Sequence, residues 1–124
     1  MILALAIIFA IGGVVCHQLP ERSFFIGTHQ LPVCARCTGL YASAVAGFVT
    51  WCLLKLVRRG GGIEVSPRSA LVVLAVAAVP TVLSVAGGVS GVADGTNVGR
   101  ALLAIPLGAT AGAIVAAVAT KDLR

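Results

Sequence analysis

Three stretches of this chain carry no charged side chain: Thr38 to Leu54, Ser69 to Ala93 and Ala101 to Thr120. With their flanks, each reaches the roughly 20 apolar residues needed to cross about 30 Å of hydrocarbon. A fourth uncharged stretch, Met1 to Val15, is shorter. It spans only if it runs on through Cys16 and His17 or if the bilayer thins around it. Backbone groups in lipid must be satisfied internally, and four short spans cannot close a barrel, so helix is the only solution. Only 10% of the 124 residues are charged, against about 25% in a soluble domain. The expected fold is therefore all-α, an integral membrane four-helix bundle forming a single transmembrane domain over 1–124. Its helices fall near 2–17, 37–57, 69–87 and 99–120, with a Cys/His-rich loop between the first two. Met1 to Val15 reads as a retained helix rather than a cleaved leader: it lacks a basic n-region, and Gly12-Gly13-Val14-Val15 makes a poor cleavage site.

Punctuation between the stretches fits this division. Arg58-Arg59-Gly60-Gly61-Gly62 forms a flexible basic turn, and Ser66-Pro67 offers a cap and a first-turn proline for helix 3. Asp94-Gly95-Thr96-Asn97 supplies turn and capping residues before helix 4. Gly39, Ser43 and Gly47 recur every fourth residue on helix 2, as do Ala104, Gly108, Gly112 and Ala116 on helix 4. Small residues at this spacing let helix backbones approach closely in lipid, within one bundle or across a homo-oligomer or larger membrane complex. Pro80 and Pro106 are candidate kinks. No internal repeat is expected between the two halves.

The net charge of +5 does not point to nucleic acid, because the basic residues are not arranged as a groove with stacking aromatics. Lys55, Arg58, Arg59, Arg68, Lys121 and Arg124 fall on one side of the expected bundle, and Arg22, Arg36 and Arg100 on the other. Six against three places the richer side in the cytoplasm. The chain is thus expected to be multi-pass in the inner or plasma membrane, with both termini cytoplasmic and the lipid bilayer as its first partner.

Chemistry is concentrated in 22 residues, where Cys16, His17, His29, Cys34 and Cys37 gather. Cys34 and Cys37, with two residues between them, can point both sulfurs at one tetrahedral centre or at each other. Cys16 and His17 would complete a Cys3His set of the kind that holds structural zinc, with iron or copper as other candidates and His29 as a possible further ligand. Clustered thiols facing an oxidising exterior imply either metal protection or a working disulfide. In the second case Cys34 and Cys37 are the catalytic pair and Cys16 the exchanging thiol. Arg36 between them and Arg22 nearby would favour thiolates in both cases. Cys52, beside Trp51 in mid-helix, reads as an inert packing residue.

Arg100 falls in the first turn of helix 4, where the helix dipole is already positive. Asn97, three residues earlier, shares its face or simply caps the helix. Asn97 and Arg100 are candidates to lean over the Cys/His site or to bind an anionic ligand or cofactor, with Arg22 and Ser23 as interfacial companions.

The run CHQLPERSFFIGTHQLPVCARCTGLY strongly resembles a domain-of-unknown-function family of small bacterial and archaeal membrane proteins. Its members look like CHQ-x-PERSF, a short spacer, then a PxCARCTG stretch entering a helix. By this resemblance Cys16, His17, Pro20, Arg22, Ser23, Cys34, Arg36, Cys37 and Gly39 match the signature. Asn97 and Arg100 match a later TN-x-x-R segment. After Pro80 the family often carries an aspartate in a PxxLDG-like run, where this chain has Ser84, so a mechanism needing an intramembrane carboxylate is disfavoured. His29 falls in the variable spacer. The resemblance implies architecture and motif, and no activity.

Three readings follow. The first is a small membrane protein holding zinc through the Cys/His cluster at the extracytoplasmic surface, as a structural or accessory subunit of a membrane complex. The second is an enzyme, a membrane thiol–disulfide oxidoreductase cycling Cys34 and Cys37. The third is a metal transporter component, weakened because Glu21, Glu64, Asp94 and Asp122 all lie outside the spans.

Overall fold

The computed structural model describes residues 2–58, 64–93 and 95–123. Met1, Arg59-Gly60-Gly61-Gly62-Ile63, which include most of the basic turn, Asp94 and Arg124 lie outside the described residues. The chain runs α1 (Ile2–Val15), a 3-10 turn (Pro20–Arg22), β1 (Ser23–Ile26), β2 (His29–Cys34), α2 (Ala35–Val57), α3 (Pro67–Ser90) and α4 (Asn97–Ala119).

The three later helices have 23, 24 and 23 residues, about 35 Å each at 1.5 Å per residue. All three are long and apolar enough to cross a membrane. Their starts follow the expected signals. Ser66 accepts from the Ser69 N–H with Pro67 in the first turn of α3, and the Thr96 hydroxyl oxygen accepts from the Gly99 N–H at 3.1 Å to cap α4. Thr96 being the cap, Asn97 is the first helical residue and its side chain is used elsewhere. Pro80 and Pro106 sit inside helices that continue past them. In the turn before Pro106, the Thr81 hydroxyl of α3 donates to the Leu103 carbonyl of α4 at 3.0 Å, a polar tie between neighbouring helices in an apolar setting.

α2 and α4 run parallel, and their small-residue stripes face each other. A methyl built on Gly39 would collide with the Ala101 carbonyl, one on Gly47 with Ala109, one on Gly108 with Ser43 and Leu40, and one on Gly112 with Ala44. Ala104, Gly108, Gly112 and Ala116 are buried on α4 and Ser43 on α2. Large apolar side chains of the same helices are turned outward, with Val45 of α2 65% and Leu102 of α4 58% exposed. Small residues inside and large ones outside is the arrangement lipid favours. α3 packs on α4.

Two expectations are revised here. α1 has 14 residues, about 21 Å, and ends at Val15 instead of running through His17. It packs chiefly on β2, so the body is three long helices with α1 held outside it, not a closed four-helix bundle. The segment between α1 and α2 is also not a plain loop. β1 and β2 pair antiparallel, Ser23 opposite Cys34, Phe25 opposite Gln30 and Ile26 opposite His29. Gly27, at φ 64°, makes the turn with Thr28. Four and six extended residues flanking a glycine turn are a hairpin signal, and Pro32 is tolerated because a two-stranded ribbon has only edge strands.

Candidate functional site

The hairpin returns the chain to the start of α2, and three cysteines converge there. Cys16 follows directly on α1, is buried, and anchors its N–H on the Gly12 carbonyl at 2.8 Å. Cys34 ends β2 and is the N-cap residue of α2, with no side-chain capping bond. Cys37 lies in the first turn of α2. Their three sulfurs all lie within 4.8 Å of one another. The Cys34 N–H donates to the Cys16 sulfur at 3.3 Å. All four cysteines of the chain are free thiols.

This spacing fits a soft or borderline metal ion. Zn–S bonds of about 2.3 Å in a tetrahedron put sulfurs about 3.8 Å apart. Closing from 4.8 Å is within the range of side-chain rotation. Three ionised sulfurs this close repel one another by about 4 kcal/mol per pair at an effective dielectric near 20, a repulsion a divalent cation removes. Burial works against ionising Cys16. Hydrogen bonds from the Gln18 backbone, from the Cys34 side chain and backbone, and from Cys37 outweigh it and hold the Cys16 thiol below its ordinary pKa.

The thiols open on a cavity of about 370 Å³ lined also by His17, Gln18, Leu19, Arg22, Arg36 and Arg100. His17 is exposed on this lining, and the three-sulfur group does not include its imidazole. His29 is exposed in β2, in a separate concavity with Phe9, Ile26 and Pro32. Cys52 is half-buried on α2, about 22 Å along the helix from Cys37. Arg22 and Arg100 reach the cavity, while Ser23 and Asn97 stand behind it. Ser23 is 2% exposed. Asn97 donates through Nδ2 to the Ser23 carbonyl at 3.2 Å, and its Oδ1 accepts from Arg100 Nη1 at 3.3 Å. The start of α4 is thereby tied to the hairpin. Arg36 reaches α3, donating to the Ser84 hydroxyl at 3.2 Å and the Ser84 carbonyl at 2.6 Å.

A second layer of this site escaped the sequence reading. Gln18 adopts the left-handed region at φ 47° and its side-chain amide donates to the Phe9 carbonyl at 2.7 Å and the Pro32 carbonyl at 2.8 Å. Gln30 answers across the hairpin, donating to the Gln18 carbonyl at 2.9 Å and the Ser23 hydroxyl at 3.2 Å. This reciprocal clasp fixes Cys16 against β2. Gly12 lies beneath it, where a methyl would strike the Pro32 carbonyl. The signal was present: His-Gln-Leu-Pro occurs at both 17–20 and 29–32, a short local repeat where no repeat was expected.

Fold and site together define a small membrane protein whose long apolar helices carry a three-thiol cluster at one end. Residues 16–114 match the family described as "Predicted membrane protein (DUF2085)", and the chain belongs to that family. It is similar to an uncharacterised protein, MJ1492, of Methanocaldococcus jannaschii, 42% identical over 48 residues, which are 39% of this chain and 31% of that one. It is also similar to an uncharacterised protein of Methanothermobacter thermautotrophicus, 49% identical over 35 residues, 28% of this chain and 32% of that one. The matched segments thus span about a third of the length of these curated relatives. No solved structure matches the chain.

Proposed function

We propose that this protein binds one metal ion, zinc above iron or copper, through Cys16, Cys34 and Cys37. The observation that carries the reading is the meeting of three sulfurs, from the end of α1, the end of β2 and the first turn of α2, within 4.8 Å. Such an ion would pin the hairpin to the helix body, so that metal-binding energy doubles as folding energy. His17 or a ligand from the cavity would supply the fourth donor of a tetrahedral site. The protein would then serve as a structural or accessory subunit of a membrane complex, presenting a metal-locked cap.

Orientation completes the reading. Lys55, Arg58 and Arg68 lie at the end of the helix body opposite the thiols, with Lys121 beside them. The positive-inside tendency assigns that end to the cytoplasm and the thiol cavity to the extracytoplasmic face.

The test is elemental analysis of detergent-purified protein. About one metal per chain is expected for the intact chain, and a loss of that metal in Cys37→Ser. No metal, together with a reversible Cys34–Cys37 disulfide detected by alkylation mass shift, would replace this reading with thiol–disulfide exchange.

A further inference from the structure

We infer that the thiol cluster leaves one coordination position turned to the cavity, and that this position takes a small thiol as an exchangeable ligand. The position exists only with the ion in place, so it stands on the proposed function above. Cys16, Cys34 and Cys37 bring their sulfurs within 4.8 Å of one another, and all three line the same space of about 370 Å³. An ion seated on the three sulfurs is thus reached from this space. Its volume far exceeds the share of about 30 Å³ that one water takes in the liquid, so a molecule of several heavy atoms fits beside the cluster. Zinc sites with four protein ligands are closed and structural, whereas sites with three leave the fourth position to water or a substrate.

Elsewhere the cluster is walled by chain. Cys16 and Ala35 are buried, the Cys34 N–H is spent on the Cys16 sulfur, and α1 meets β2 so closely that a methyl on Gly12 would strike the Pro32 carbonyl. His17 lines the cavity, but it is exposed there and its imidazole is not part of the three-sulfur group. Its neighbours hold its backbone in that place: the Cys16 N–H is anchored on the Gly12 carbonyl, and Gln18 is clasped to Phe9 and Pro32. The position therefore goes to a ligand that comes and goes, with water in it otherwise. The donor set selects the class. Thiolates suit zinc, copper and iron, whereas water and carboxylate suit harder ions. A position on an ion already held by three thiolates is better filled by a fourth sulfur than by oxygen. Entry of the thiol forms one sulfur–metal bond and breaks one oxygen–metal bond. The displaced water leaves into the cavity, and the proton of the thiol passes to solvent, because a coordinated thiol is deprotonated. No electron is transferred.

The test is anaerobic titration of the Co²⁺-loaded full chain in detergent with 2-mercaptoethanol, followed by the thiolate-to-cobalt absorption band. The expected result is saturable growth of that band by about one third, as three sulfur ligands become four in a tetrahedral site, with the ion still bound after gel filtration. Ethylene glycol, the same molecule with oxygen in place of sulfur, leaves the band unchanged. His17→Ala keeps both the starting band and the response. A starting band that 2-mercaptoethanol leaves unchanged, or abolishes by stripping the ion, overturns the inference while the metal reading stands. An equal response to ethylene glycol also overturns it, as does a response confined to His17→Ala, which gives the fourth position to the imidazole. A chain with no thiolate-to-cobalt band at all fails the metal reading, and the thiol site with it.

Discussion

The two ends of the α2–α4 pair solve the same problem differently. Both must join the helices where they leave the apolar layer. At the far end, Lys55 Nζ lies 2.9 Å from both carboxylate oxygens of Asp122 and 3.0 Å from the Thr120 carbonyl. Trp51 Nε1 and the Thr120 hydroxyl also donate to the Asp122 carboxylate. The Val65 N–H donates to the Asp122 carbonyl at 2.9 Å, bringing in the start of α3. Among the described residues, the charges of Lys55 and Asp122 are met by one another within the chain. The thiol end gathers three sulfurs and three guanidiniums around an open cavity whose described lining has no carboxylate. One end is a latch; the other is built to receive something. Between the two ends the glycine seam holds α2 close against α4.

The largest effect is expected from breaking that seam. Gly112→Val places its side chain against the Ala44 backbone carbonyl, which cannot move aside as a flexible side chain would. Both ends should fail together, seen as loss of a monodisperse folded species in detergent. Next comes Cys37→Ser, which should remove essentially all bound metal while leaving the Lys55–Asp122 latch formed. Elemental analysis together with Trp51 fluorescence reads the two ends separately.

A pH titration separates the ends without mutation. Metal binding requires deprotonated thiols, so acidification releases the ion in competition with protons. Hydrogen bonds from Gln18, Cys34 and Cys37 hold the Cys16 thiol below its ordinary pKa despite its burial. The Asp122 carboxyl is held below its ordinary pKa, first by the Thr120 hydroxyl and then by Lys55. A depressed carboxyl pKa gives stability that is present above the unfolded value of about 3.9 and lost as pH falls through the folded one. The thiol end should therefore empty at a higher pH than the latch opens, with metal release and Trp51 fluorescence followed on one sample. Asp122→Asn should lower the unfolding temperature by a few degrees with metal content unchanged. The smallest effect belongs to Ser84→Ala. It removes one of two Arg36 contacts and leaves the carbonyl contact at 2.6 Å, so about 1 kcal/mol or less is expected, read as a slight fall in unfolding temperature.

Legibility in the sequence followed the same divide. Lipid allows few solutions, so α2, α3 and α4 could be placed to within a few residues from charge-free length alone. The four-residue spacing of Gly39, Ser43 and Gly47 anticipated the stripe that meets α4. Convergence of Cys16 with Cys34 and Cys37 was also readable, because the chain between them is short and must return to the start of α2. The parts that stayed hidden depend on tertiary detail. The end of α1 at Val15 follows from Gln18 turning left-handed and its amide gripping the Phe9 and Pro32 carbonyls, a bond made across the hairpin that local pattern does not announce. The same turn leaves His17 exposed on the cavity lining, so adjacency to Cys16 in sequence did not translate into membership of the sulfur group. Ser84 was noted only as a departure from the resembled family, and its contact with Arg36 needed the packing of α3.

One ion held by three sulfurs is what the proposed function requires of the thiol end. X-ray absorption at the zinc edge, on protein purified in detergent without chelator and loaded with one equivalent of Zn²⁺, reads this directly. The prediction is a shell of three sulfur scatterers near 2.3 Å completed by one lighter nitrogen or oxygen atom. A first shell made only of nitrogen and oxygen, or zinc that washes away with the thiols intact, would contradict it.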